Sequence, residues 1–144
     1  MCASSLIIAS GTETMCRENF ALPLAHYREL VVWQKGVALV TEAYRLTANF
    51  PKQEMYGLTS QIRRSAASIP ANIAEGQGRA SRGEFRQFLG HARGSLYELE
   101  THILVAGNLG YLQVSDGSLF IGQVHEIGRM LNGLLKSLDR PNAA

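Results

Sequence analysis

The run Phe85, Leu89, Ala92, Leu96, Leu99, Ile103 and Ala106 constrains this chain more than any other feature, because its spacings alternate 4 and 3 throughout. That period puts seven apolar side chains along one face of a helix and is incompatible with the two-residue alternation of a half-buried strand. Ser81 precedes the run with Glu84 three residues on, the pattern of a capping box. Asn108-Leu109-Gly110 supplies a stop. A helix with one apolar face must bury it against other elements, and three more such helices are encoded nearby.

The first carries Leu30, Trp33, Val37, Val40 and Tyr44, and ends at Asn49-Phe50-Pro51, since proline disfavours the helical state of its predecessor. The second carries Leu58, Ile62, Ala66, Ile69 and Ile73, and ends at Gly76-Gln77-Gly78. Pro70 lies inside it and cannot donate to the Ala66 carbonyl, which predicts a kink; a break into two helices is the competing reading. The fourth carries Phe120, Val124, Ile127, Leu131, Leu134 and Leu138, with Asp116 or Ser118 as N-cap and Asp139-Arg140-Pro141 as its end. Short connections make sequential helices antiparallel neighbours. The expected fold is all-α, an antiparallel up-and-down four-helix bundle forming a single domain over residues 26–140. Residues 1–25 show no sustained period and read as a loose tail; whether Met15 is an alternative start stays open.

A chain of 144 residues buries roughly 70% of its unfolded surface on folding, so neither a disulfide nor a metal is required. Cys2 and Cys16 sit in no Cys-x-x-Cys spacing and have no histidine cluster beside them. Thiols without a disulfide framework fit a reducing compartment, so a cytoplasmic location is expected. Met1 to Ser10 lacks a basic leader, and Leu6-Ile7-Ile8-Ala9 is too short for the apolar part of a signal peptide. No apolar stretch is long enough to span a membrane.

Helix 1 carries a second stripe, Val32, Gly36, Leu39, Ala43 and Leu46, about 100° round from the first. Helix 2 adds the small residues Ser65, Ala66, Ala67, Ser68, Ala71 and Ala74, and helix 3 has Gly90 and Gly94 four apart. These surfaces exceed what one bundle seam needs. Close packing within one bundle explains them, and so does a subunit interface; the interface, with Val32, Gly36, Leu39, Ala43, Leu46, Gly90 and Gly94 as its candidates, is the sharper expectation.

A search for chemistry returns little. Di-iron bundles use Glu-x-x-His on two helices, and that motif does not occur. Glu98 with His102, and His125 with Glu126, outline a metal site only faintly, and exposed ion pairing explains them as well. Ser95 follows Gly94 in mid-helix, where a nucleophile elbow cannot form. Gly76-x-Gly78 is too short for a dinucleotide fingerprint and follows no strand. No catalytic residue, metal site or cofactor is expected.

What remains is charge. The net charge of +2 is too small to announce a nucleic-acid binder alone. Between residues 63 and 93, however, Arg63, Arg64, Arg79, Arg82, Arg86 and Arg93 face only Glu75 and Glu84. A solvated basic face is one reading and an anion-binding surface the other. Arg82 and Arg86 share a face at the start of helix 3, where the helix terminus adds positive potential. No aromatic residues interleave with the arginines there, so a single-strand stacking platform is not expected.

The same segments carry a family resemblance. Tyr27-Arg28-Glu29-Leu30-Val31-Val32-Trp33-Gln34-Lys35, Phe50-Pro51-Lys52-Gln53-Glu54-Met55-Tyr56-Gly57-Leu58-Thr59-Ser60-Gln61, Ser68-Ile69-Pro70-Ala71-Asn72-Ile73-Ala74-Glu75-Gly76 and Ala92-Arg93-Gly94-Ser95-Leu96-Tyr97-Glu98-Leu99-Glu100-Thr101 resemble, in order, motifs of the 23S rRNA intervening-sequence proteins. The resemblance covers residues 26–138. It implies an antiparallel four-helix bundle assembling as a homopentamer, with helix 2 continuous through Pro70. The family is also similar to accessory proteins of diversity-generating retroelements, basic pentamers that bind nucleic acid and a reverse transcriptase. Residues and resemblance together lead to the expectation of a non-enzymatic oligomeric module that binds RNA or a protein–RNA assembly. Its partners would be further copies of itself and RNA or a nucleic-acid-processing protein. A protein-binding scaffold is the alternative, and a metal-containing bundle enzyme a more distant one.

Overall fold

A computed structural model describes residues 26–139. The expected tail over residues 1–25, with Cys2, Met15 and Cys16, and the stop at Arg140-Pro141 lie outside the described residues. A four-residue helical turn, His26–Glu29, leads into α1 (Val31–Thr47). A short 3₁₀ turn, Lys52–Glu54, precedes α2 (Leu58–Gln77), followed by α3 (Arg82–Asn108) and α4 (Val114–Asp139). No strand occurs among the described residues.

Specific pairs fix the directions. Thr47 at the end of α1 accepts a hydrogen bond from Arg63 near the start of α2. Gly76 at the end of α2 packs on Phe85 and Phe88 at the start of α3. Arg82 at the start of α3 donates to the Ser137 and Leu138 carbonyls at the end of α4. Each helix therefore runs antiparallel to its successor, and α4 packs back on α1. The α1–α2 and α3–α4 connections share one end of the bundle, where the Phe50 and Tyr111 rings meet at 5.5 Å.

The helix ends have local causes. Ser81 caps α3, its hydroxyl accepting from the Glu84 N–H at 3.2 Å. The end of α3 is a Schellman turn: Tyr111 N–H bonds the Ala106 carbonyl, Gly110 N–H the Gly107 carbonyl, and Gly110 takes φ +76°. At the start of α2 the Glu54 carboxylate accepts from the Leu58 N–H at 3.0 Å. Helix α4 begins earlier than Asp116 or Ser118 would have it, at Val114, with the Gly117 N–H already bonded to Gln113. Asp116 thus sits in the first turn, where its charge complements the helix dipole.

Helix α2 is continuous through Pro70, so the break into two helices does not occur. Pro70 is buried against α1, where a β-carbon at Gly36 would lie 3.4 Å from the proline ring. The Asn72 side chain donates to both the carbonyl and the hydroxyl of Ser68, and the Ser68 and Ser95 hydroxyls join α2 to α3 at 2.9 Å.

One expectation is corrected. Val32, Gly36, Leu39, Ala43 and Leu46 do not form an outer face; all five are buried in the chain's own core. The other stripe lies at the margin of the core: Leu30, Trp33 and Val40 are half-buried and pack against it, Val37 is half-buried and Tyr44 is exposed. Both stripes are apolar with the same period, and the closer approach of α2 at small residues selects the one containing Gly36 and Ala43. The core is completed by Ile62, Ala66, Ile69 and Ile73 of α2, the predicted α3 run from Leu89 to Ala106, and Phe120, Val124, Ile127, Leu131 and Leu135 of α4.

Candidate nucleic-acid interface

The six arginines do not form one zone. Arg63 and Arg64 lie in the first two turns of α2, beside the end of α1. Arg63 and Gln77, at the far end of α2, are fourteen positions apart, about 21 Å at 1.5 Å per residue. Arg79, Arg82, Arg86 and Arg93 belong to that far end and the upper part of α3.

There, all four are engaged within the chain. Arg79 pairs with Glu75 at 2.6 Å and covers the Phe88 ring at 4.8 Å. Arg82 donates to the last carbonyls of α4, the role a cation plays at a helix C-terminus. Arg86 meets Asp139 at 2.5 Å. Arg93 donates to the Asn132 amide oxygen at 3.1 Å and meets no carboxylate among the described residues. Arg86, Gln87, Gly90 and Arg93 of α3 and Asn132, Lys136 and Asp139 of α4 line an open groove of about 340 Å³. Three cations face it and one carboxylate, Asp139, answers them.

The other pair of arginines opens onto a second groove, of about 550 Å³, lined by Tyr44 of α1, Met55 and Tyr56 of the connection, and Thr59, Ser60, Arg63, Arg64 and Ala67 of α2. The Arg63 guanidinium lies 4.5 Å from the centre of the Tyr44 ring, and its Nε donates to the Thr47 hydroxyl at 2.9 Å. Arg64 donates to the Gln61 side chain at 2.9 Å. Neither meets a carboxylate among the described residues. Aromatic rings therefore accompany these two arginines; the expectation of no interleaved rings concerns only the arginines at the start of α3. Tyr44 falls on an apolar stripe of α1 and Tyr56 lies in a connection, so the signal in the sequence is the short distance between Tyr56 and Arg63.

Of the remaining interface candidates, Gly90 is half-buried and Gly94 exposed, and a β-carbon at either would meet nothing within 4 Å. They begin an outward row on α3 that continues through Tyr97, Thr101 and Leu104, with Tyr97 and Leu104 about half exposed.

Other polar groups form local pairs. His125 meets Glu100 at 2.7 Å, and His102 lies 3.5 Å from Glu98. Glu126 pairs with Lys35 at 2.9 Å rather than with His125. Among the described residues, no three histidine, cysteine or acidic side chains gather closely enough to hold a metal ion. No hydroxyl there bonds a histidine, and no helix there is long and apolar enough to cross a membrane.

These elements define an all-α protein of four packed helices bearing two cationic surface grooves. The model of the 23S rRNA-intervening sequence protein family matches residues 28–133, and the chain belongs to that family. It is similar to a solved protein of unknown function from the S23 ribosomal protein family of Bacteroides thetaiotaomicron VPI-5482. That likeness has 26% identity and a TM-score of 0.67, and covers 74% of this chain and 99% of the other. No curated protein matches the chain.

Proposed function

We propose that this chain is a non-enzymatic, cytoplasmic, oligomeric helical module that binds RNA, alone or within a protein–RNA assembly. The observation that carries the reading is the α3–α4 groove, where Arg86, Arg93 and Lys136 face outward against a single carboxylate. Such a surface suits a phosphate backbone, whose contacts give affinity without requiring base recognition.

Assembly strengthens the reading. We take the module to be a homopentamer, supported by the outward α3 row of Gly90, Gly94, Tyr97, Thr101 and Leu104, whose spacing of 4 and 3 is that of a helix-packing seam. Five copies carry about five times the single-chain charge of +2, and repeated weak phosphate contacts on one strand add through effective concentration.

A gel-shift titration of the purified chain against RNA across salt tests the reading. Affinity should fall linearly with salt on logarithmic axes, by about 0.7 per phosphate contact on a single strand. No binding at low salt, or binding without a slope, overturns it. Light scattering on the same sample tests the assembly, and a monomeric mass rejects it.

A protein-binding scaffold is the second reading, favoured by the exposed Tyr97 and Leu104 and by the internal pairing of Arg79 and Arg86. It predicts a partner retained after nuclease treatment.

A further inference from the structure

We infer that the groove between the end of α1 and the start of α2 is a nucleotide subsite. It takes one base of a single strand against Tyr56 and the adjoining phosphate at Arg63, Arg64 and the Thr59 hydroxyl. The inference rests on the RNA-binding reading but assigns it to a different groove from the one that carries that reading.

Three independent features converge. The first is Tyr56, which is 95% exposed and lines the groove. A flat, largely apolar ring left in water is a platform for another flat ring, and base–aromatic stacking tolerates any base.

The second is the pair of cations. Arg63 is braced by the Tyr44 ring and the Thr47 hydroxyl, which engages only its Nε. Arg64 spends one nitrogen on Gln61. A guanidinium offers five N–H donors, so both retain donors for an anion. Bracing also lowers the entropy lost on binding. With no carboxylate paired to either among the described residues, an incoming anion displaces none.

The third is Thr59. It lines the groove and is 2% exposed, yet its Oγ1 has no hydrogen-bond partner among the described residues. A buried hydroxyl without a partner is unfavourable, and it would donate a hydrogen bond to a phosphate oxygen that reaches it. Thr59 and Arg63 are four apart on α2, as are Ser60 and Arg64, so hydroxyl and guanidinium alternate along two adjacent rows of one helix face.

This combination selects the ligand. An acidic peptide would satisfy the arginines and leave Tyr56 unused. An apolar peptide would cover Tyr56 and bury two unpaired cations. A nucleotide unit joins a flat ring to an anion within one group and satisfies both. The groove volume of about 550 Å³ falls within the range typical of small-ligand sites.

The test is fluorescence anisotropy of a labelled single-stranded RNA of about twelve nucleotides with the full chain, its Tyr56→Ala, Tyr56→Phe and Arg64→Ala variants, and Arg93→Ala from the other groove. Tyr56→Ala should weaken binding roughly 5-fold or more with an unchanged salt slope, and Tyr56→Phe should restore it. Arg64→Ala should lower the slope by about 0.7. If the wild type binds and Arg93→Ala weakens it while Tyr56→Ala and Arg64→Ala match wild type, the RNA reading stands and this subsite is wrong. If the wild type binds no RNA at any salt, both fail. Inorganic polyphosphate and polyglutamate serve as competitors. If either displaces RNA equally from wild type and Tyr56→Ala, and the two proteins bind RNA alike, the groove holds anions only and the inference is overturned. Unchanged thermal melting of each variant excludes unfolding as the cause.

Discussion

Gly76 leaves no room for a β-carbon beside Phe88: a methyl group there would lie 2.5 Å from the Phe88 Cβ and 3.1 Å from the Phe85 ring. The glycine is helical and ends no turn, so space and not backbone freedom requires it. It lets α2 and α3 close on each other next to the connection between them. Gly76→Ala should therefore destabilise the chain by about 1–3 kcal/mol through overpacking, even though alanine is the better helix former. Gly133→Ala on α4, where a β-carbon meets nothing within 4 Å, should instead stabilise by up to about 1 kcal/mol. Urea midpoints of the two variants decide the matter, and equal shifts of one sign would contradict this packing.

The two stripes of α1 make a second prediction. Leu39 is 1% exposed and belongs to the core, whereas Val37 is half-buried and lies outside the core cluster. Leu39→Ala should cost about 2–5 kcal/mol from lost burial and the cavity left behind. Val37→Thr should stay within about 0.5 kcal/mol, as surface substitutions do. Measured in a chain kept monomeric by dilution, a reversed order would restore the first stripe as the core.

Tyr111 gives a pH dependence. Its hydroxyl donates to Glu54 at 3.2 Å, and the other oxygen of that carboxylate caps α2. Loss of solvent around the phenol, then the hydrogen bond to Glu54 and the negative charge of that group, raise its pKa above the usual value near 10. The folded chain thus holds this proton more tightly than the unfolded chain. The associated stability is complete below about pH 10 and is lost as pH rises through the folded-state pKa. The gap between the denaturation midpoints of wild type and Tyr111→Phe should be constant up to about pH 10 and narrow as pH rises above it. A gap that stays constant above that pH would show that the phenol does not titrate differently on folding.

Much of the fold is legible in the chain. The α3 run is buried from Leu89 to Ala106, and Ser81 and Gly110 bound the helix as their chemistry dictates. The reading failed where one pattern admits two answers. On α1 both stripes are apolar, and the packing of neighbouring helices, with Pro70 against Gly36, distinguishes them. At Pro70 the missing hydrogen bond is local, but helix continuity is decided by packing against α1. The arginines looked like one zone because they are close in sequence; α2 then carries Arg63 and Arg64 to the opposite end from Arg79. The Tyr44–Arg63 contact joins residues from two helices, and no spacing within either one foretells it.

The α3–α4 groove supplies the last prediction, which separates phosphate contact from general basicity. Arg93 makes one exposed hydrogen bond, to Asn132, and Lys136 has no ion pair among the described residues, so neither side chain contributes much to holding the bundle together. Arg93→Ala and Lys136→Ala should each leave urea midpoints within about 0.5 kcal/mol of wild type. Each should lower the logarithmic salt slope of RNA binding by about 0.7 if its cation touches a phosphate. Arg79→Ala removes the same charge from the chain, but at a site where Glu75 already answers it. If phosphate contact and not net charge governs affinity, that variant keeps the wild-type slope. A common loss of slope in all three would mean that overall charge alone holds the RNA, and the groove would lose its assignment.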